Sequence, residues 1–526
     1  MSGAPAPARR GRTAWRLALA AFLIYAASGG GRVVGSDEVT MLEVSRAMLH
    51  GRIDVPPGAT QQGLGGRSYS KNAAGQAVLA LPLTGAAELV AHFAPPAKRT
   101  LATRALVSFF NAIVTALLLA AFYSAVRSLG AGGRGAFGAT LLLGFTTPLW
   151  VYAKSFMAEP LEALGLLLVL SGSARARAGQ GAGPRLAALG VLLAVSSKLS
   201  VLPIAIAGLA PLASAPRSTW RWPLAGLALA LAGHGLYDVA RFGTPFETGY
   251  GAQASPSAFT TPLWVGLYGL TFSSGKGVMW FAPALWLAGA GVRDMLRRRE
   301  TEAGTPVEVA RTLTAWSALL ACGVALLLYA RFQHWAGDGS FGPRYLVPIL
   351  PIAFIPVAFA LDRFAADARP WRRTAAALLG ALGLAITIGG VAIYFGAQMR
   401  EAGDYPYTLP LDHPHFMESS HFNPRFSPIL GHWSMLKRNV GLHLSGDAPR
   451  LSAARPAPTG PADAPDARLG IDEADQKQLL NGLDFWWAYA AYAGWPFVPL
   501  ASAAFAMAVV GITELWRAFR LARGEA

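Results

Sequence analysis

Charge is scarce in this chain of 526 residues. Asp, Glu, Lys and Arg make up only 14% of it, against about 25% in soluble domains. Hydrophobic residues supply 53%, and apolar runs recur from residue 14 to residue 516. Disordered, collagen-like and secreted soluble classes are thereby excluded, and an all-α polytopic membrane protein is expected. Cysteine is nearly missing: Cys322 stands alone inside an apolar run, which rules out an intrachain disulfide or a Cys-based zinc site. Lysine is rare as well, with seven among 45 basic residues. No internal repeat is visible, which counts against a transporter built from inverted repeats.

What is present orders itself along the chain. Apolar stretches lie at about 13–29, 105–126, 135–151, 159–174, 186–196, 200–214, 222–240, 277–292, 309–330, 345–361, 374–396 and 495–516. Two of them fall short of the ~20 residues a spanning helix needs; they meet at Lys198 and read as a tight hairpin of short helices. About twelve transmembrane helices result, with both termini on one side. The first follows Arg9, Arg10 and Arg12 and reads as an uncleaved helix in preference to a signal peptide, because the candidate chemistry begins directly after it.

The basic residues orient this array. Segments 1–13, 127–134, 174–185, 215–221, 293–308, 362–373 and 514–526 hold 21 Arg, no Lys and eight acids, carrying +13 of the net +16. These segments are therefore expected to be cytoplasmic, and the basic balance does not point to nucleic acid. All seven lysines then fall on the outer face. Residues 75–94 cannot cross without inverting every later loop, so they read as an interfacial or re-entrant helix.

The outer face owns 31–104, 241–276, 331–344 and 397–494. Within the last, 446–468 is a Pro/Ala-rich linker, and Asp484-Phe485-Trp486-Trp487 is an interfacial anchor. The division expected is a transmembrane module over 1–396, an outer loop over 397–494, and a last helix with its tail over 495–526.

Chemistry gathers at the outer helix ends. Ser36-Asp37-Glu38 leads into a segment that places Glu43, Arg46 and His50 on one helical face and Met41, Val44 and Met48 on the other, as in a short amphipathic surface helix. A carboxylate at that boundary can act as a general base; the plainer alternative is that Ser36 or Asp37 caps the helix. Lys71, after Tyr69-Ser70, heads the next apolar helix and suits a lipid phosphate or a snorkelling anchor. Lys154, Lys198 and Lys276 sit at similar boundaries.

Glu159 opens an apolar helix, where a charge is costly unless it caps or works. In Trp335-Ala336-Gly337-Asp338-Gly339-Ser340-Phe341-Gly342-Pro343-Arg344-Tyr345 the glycines permit a tight loop that turns Asp338 and Arg344 inward, and Arg344 suits a bidentate phosphate or carboxylate contact. Tyr69, Trp335 and Tyr345 are candidates for lining a sugar site. His413, His415 and His421 offer a zinc set, against the commoner case of histidines packed on aromatics.

These clusters, in this order, resemble the GT-C glycosyltransferases that use polyprenyl-phosphate sugars, specifically the family-39-like branch with the aminoarabinose and protein-mannosyl transferases. The resemblance covers about residues 14–400. Asp37-Glu38 before a surface helix looks like that family's first outer-loop acidic motif, whose Asp serves as base or orients the acceptor. Ser70-Lys71 resembles the position that meets the carrier phosphate, and Glu159 the second-loop acidic residue. The sequence departs in lacking prolines after Lys71 and in having Glu as the second acid.

The resemblance implies an inverting sugar transfer from a polyprenyl-phosphate donor to a glycan, lipid or protein acceptor. Asp37, Glu38 and Glu159 would be the catalytic acids; Lys71, Lys154, Arg344 and Lys276 would meet the donor phosphate. Asp37 and Glu159 would be the ligands if a divalent Mg, Mn or Ca ion takes part. It further implies a bacterial inner membrane with the active site on the periplasmic side. A flippase for lipid-linked sugars and a non-catalytic envelope scaffold are the competing classes.

Overall fold

The computed structural model describes residues 7–297, 304–337, 339–401, 421–451 and 478–525. Asp338, His413, His415 and most of the 446–468 linker lie outside these. The described chain is mostly helical. Among the described residues five helices are long and apolar enough to cross a membrane: Arg99–Ser128, Pro306–Arg331, Arg344–Ala366, Pro370–Ala392 and Phe497–Arg523.

The remaining expected spans are shorter, interrupted or more polar, so about twelve crossings is not what length and hydropathy alone establish. Gly133–Phe145 has 13 residues, a rise of about 20 Å against a hydrocarbon core of about 30 Å. The 277–292 stretch breaks at Pro283 into short helical pieces. Two short helices meet at Lys198 as expected, Gly183–Ser197 ending there and Leu202–Gly208 following.

One element departs from the all-α expectation. Thr60–Gln62 and Ser68–Ser70 pair antiparallel, Gln61 opposite Tyr69. The turn between them uses positive φ at Gly65 and Gly66. The 75–94 segment forms two short helices, Gly75–Leu79 and Leu81–His92, with Leu89, Val90 and Phe93 exposed. Such an apolar outer face is what an interfacial helix presents.

Two packing features position the site. Glu159–Arg177 is buried along its length from Glu159 to Ala174 and packs tightly on Gly183–Ser197. A Cβ on Gly172 would come within 2.3 Å of the Ala187 backbone, so only small residues allow this approach. A central helix thus carries two acids, Glu159 and Glu162, inside the protein. At the far end of the first helix, buried Glu525 accepts hydrogen bonds from Thr13 Oγ1 (2.6 Å) and Tyr123 Oη (2.8 Å). This ties Pro7–Ala27, Arg99–Ser128 and Phe497–Arg523 together.

Candidate active site

The acidic pair after the first helix divides its labour. Glu38, at the third helical position of Ser36–Leu49, accepts from the Gly35 N–H at 2.7 Å and, through its other oxygen, from the Phe156 N–H at 2.6 Å. Its carboxylate therefore caps the helix and pins the 155–157 turn, as a capping-box acid does. Glu38 was expected among the catalytic acids; buried, with both oxygens committed to backbone, it is a structural clamp. Asp37 is thereby relieved of capping and faces the interior.

Asp37 Oδ2 accepts from Arg344 Nη2 at 3.0 Å, and Arg344 Nε donates to Glu159 Oε1 at 2.5 Å. One guanidinium thus bridges two carboxylates from distant segments, using its fork. Asp37 and Arg344 keep 19% and 16% of their side-chain surface, whereas Glu159 keeps 1%. The cluster is closed on the Glu159 side and open at Asp37. Burial alone would raise the Asp37 pKa, but the charges of Arg344, Lys71 and Lys198 outweigh it and hold the carboxyl below its ordinary value.

The loop geometry that delivers Arg344 is the one the glycines permit. Gly337 has φ +72°, and a Cβ there would come 2.9 Å from Arg344 Cβ. Lys276 is fully buried and donates to the Ser340 carbonyl at 2.7 Å and to Ser340 Oγ at 3.2 Å. Expected to meet a donor phosphate, it braces through Ser340 the loop that carries Arg344.

Lys154 also lies elsewhere. Its ammonium bonds the Val391 carbonyl at 2.6 Å and the Asp484 carboxylate at 3.1 Å, and Arg32 Nε donates to the same carboxylate at 2.7 Å. Burial lowers the Lys154 pKa to about 8 despite Asp484. Burial would raise that of Asp484, but Arg32 and Lys154 bring it down to about 2. This cluster joins the end of the first helix, the 150s turn and the outer segment before the last helix. In this arrangement the Lys154 ammonium is committed to the Val391 carbonyl and the Asp484 carboxylate.

Of the sugar-lining candidates, Tyr345 is at the site. Its ring stacks on Tyr329 at 4.7 Å, and Lys198 Nζ stands 4.8 Å from its centre. Trp335 is buried against Gly269, His421 and Phe422, and Tyr69 is buried on the hairpin with Phe242 beside it. Both are packing residues, because their rings fill the space beside small neighbours.

The structure adds residues to which the sequence assigned no site role. Asn72 donates to Thr40 Oγ1 at 3.1 Å and accepts from Tyr250 Oη at 3.2 Å, and Lys71 Nζ lies 5.7 Å from the Tyr250 ring. Burial pushes the Tyr250 hydroxyl up to about 12, with Lys198 pulling the other way. Glu162 is buried with no hydrogen-bond partner on either oxygen, and Glu159 Oε2 also lacks one. The i, i+3 spacing of Glu159 and Glu162 in an apolar helix was the available signal for the second acid.

The donor set does not fit a divalent ion between Asp37 and Glu159, since the Arg344 guanidinium already stands there. Among the described residues no group of three or more His, Cys, Asp or Glu is arranged to hold a metal ion. His432 donates from Nδ1 to the Pro428 carbonyl and its ring meets Phe341, while His421 packs on Trp335.

No protein-family model matches this chain, and no curated protein matches it. Among solved structures it is similar to the apo oligosaccharyltransferase of Archaeoglobus fulgidus. There the identity is 16% over 72% of this chain and 55% of that one, with a TM-score of 0.45. In that alignment the chain spans little more than half of the enzyme's length. The same archaeal enzyme tethered to an acceptor peptide gives 13% identity, 93% and 72% coverage, and 0.46. ArnT from Cupriavidus metallidurans, bound to undecaprenyl phosphate, gives 16% identity, 94% and 76% coverage, and 0.44. Each of these likenesses covers most of this chain at low identity.

Proposed function

We propose that this chain is an integral-membrane glycosyltransferase that moves a sugar from a polyprenyl-phosphate donor to an acceptor hydroxyl on the outer, periplasmic face. The observation that carries the reading is the single guanidinium of Arg344 held between Asp37 and Glu159, with Lys71 and Lys198 adding positive charge at Asp37. A half-open carboxylate beside three cations is the arrangement needed where a proton is removed next to a departing phosphate.

Asp37 takes the acceptor O–H proton as that oxygen attacks the anomeric carbon. The bond from that carbon to the phosphate oxygen breaks, its electron pair leaves with the phosphate, and the configuration inverts. Lys71, Lys198 and Arg344 offset the charge that develops there. A donor phosphate that draws Arg344 toward itself weakens the hold on Asp37 and raises its basicity, so donor binding arms the base. Glu159 keeps one end of the guanidinium anchored during that exchange. No step needs a metal ion.

The test is transfer from radiolabelled polyprenyl-phosphate sugars in membranes, wild type against Asp37→Ala. Loss of transfer with unchanged expression supports the reading; full transfer by the variant overturns it.

A further inference from the structure

Between Glu162 and Asp238 the chain carries no Asp or Glu, yet it carries Arg175, Arg177, Arg185, Arg217 and Arg221. The fold collects these arginines at one corner. They stand at the end of Glu159–Arg177, at the start of Gly183–Ser197 and at the start of Arg217–Phe242. A Cβ on Gly183 would come within 2.3 Å of the Ala176 nitrogen, and one on Gly226 within 2.4 Å of the Ala188 carbonyl. Small residues thus let the three helices approach closely beside their charged ends. Arg185 and Arg221 place their guanidiniums over the same Trp222 ring, at 5.0 and 5.5 Å from its centre. Arg177 Nε donates to Ser214 Oγ at 3.2 Å, and Trp220 Nε1 donates to the Leu212 carbonyl at 3.1 Å. These bonds tie the turn before Arg217 to the same corner.

No carboxylate answers this charge. Among the described residues none of these arginines takes part in an ion pair, and Arg175 Nε is buried without a hydrogen-bond partner. Arginines near other helix ends are paired: Arg16 with Glu514, Arg127 with Glu525 and Arg372 with Asp367. Orientation in a membrane asks for positive charge at a helix end. It does not ask for two guanidiniums sharing one indole, where like charges repel. Beyond the arginines the surface turns apolar, with Leu189, Leu224 and Leu229 exposed one to two turns further along the same helices.

We infer that this corner holds the head group of an anionic phospholipid, with its acyl chains along Leu189, Leu224 and Leu229. Guanidinium forks match phosphate oxygens, and hydrocarbon laid on exposed leucine leaves water. A soluble anion would meet the arginines and leave the leucines uncovered. A zwitterionic lipid would cover the leucines and bring its own cation to the arginines. An anionic phospholipid matches both. The corner lies about 27 Å from Glu159 along Glu159–Arg177, at 1.5 Å per residue. Its occupant is therefore separate from whatever binds at Asp37, and the inference does not depend on the proposed transfer.

The test uses the purified full chain in a non-ionic detergent, titrated with dioleoylphosphatidylglycerol or dioleoylphosphatidylcholine and read by native mass spectrometry. The two lipids share acyl chains and differ in head-group charge. Phosphatidylglycerol should be retained at least about fivefold better, the effect of one basic side chain near an anionic head. Arg185→Gln/Arg217→Gln/Arg221→Gln, at three exposed positions, should lose that preference. Arg185→Lys/Arg217→Lys/Arg221→Lys should keep it, which separates lost charge from lost fold. Lys98→Gln/Arg400→Gln, exposed in other segments, should keep it as well. An excess of inorganic phosphate, or of glycerophosphoglycerol as the head group without its chains, should not displace the lipid. Equal retention of the two lipids by wild type or an unchanged preference in the glutamine triple variant would overturn the site. So would loss of the preference in the lysine variant or in Lys98→Gln/Arg400→Gln, and so would displacement by either soluble anion.

Discussion

Arg344 and Asp37 are separated by 307 positions in the chain and meet at 3.0 Å. The contact is what distinguishes Asp37 from its neighbour Glu38, whose carboxylate is spent on backbone N–H groups. Adjacent acids of similar chemistry are given different partners, backbone N–H groups for Glu38 and a guanidinium for Asp37.

This sorting predicts opposite phenotypes. Asp37→Asn should lower transfer by about 10²–10⁴, the usual worth of a positioned base, with the unfolding midpoint little changed. Glu38→Gln should lower stability by about 1–3 kcal/mol, because a buried acceptor of backbone hydrogen bonds is weakened, and should leave residual transfer in proportion to folded protein. Rates and thermal unfolding measured on the same preparations check both.

Arg344→Lys keeps the charge but should not restore transfer. A single ammonium cannot donate along two directions of a planar fork to Asp37 and Glu159. A lysine variant as active as wild type would show that charge alone suffices.

The pH profile has a defined sign. The base proposed here works deprotonated, and the Asp37 pKa is held below the ordinary value, so activity should persist in mild acid and be lost only as pH falls through that depressed value. Arg344→Met removes the chief opposing charge and should move this acid limb to higher pH. Initial rates across the acid range in proteoliposomes, for both proteins, make the comparison.

The Arg32–Asp484–Lys154 cluster should matter for stability. Asp484→Ala strands the buried Lys154 and the partly buried Arg32 and is expected to cost about 3 kcal/mol, read as a lowered unfolding midpoint in detergent.

Because Arg344 occupies the space between the two carboxylates, EDTA should leave transfer unchanged. Inhibition by EDTA that Mn²⁺ or Mg²⁺ restores would show that a metal displaces the guanidinium during turnover.

Much of the helical framework was legible in the chain. The helix after Asp37, the break at Lys198 and a helical 75–94 follow from spacing and apolar runs, which are local properties; that 75–94 divides in two at Ala80 was not read from them. The hairpin around Gly65 was not, because strands of three residues leave too short a pattern. Trp335 and Tyr69 were read as sugar-lining, and their burial depends on which small residues the fold sets against them.

Hydropathy, charge asymmetry and the outer clustering of acids and lysines are properties of chain order. The sequence by itself therefore determined a mostly helical chain with helices long and apolar enough to cross a membrane. The tertiary structure alone decided the partners. It gave Lys276 to Ser340, Lys154 to Asp484 and Arg344 to both Asp37 and Glu159, because an ion pair is chosen by which side chains packing brings within about 3 Å, and no local pattern encodes a contact made across hundreds of residues.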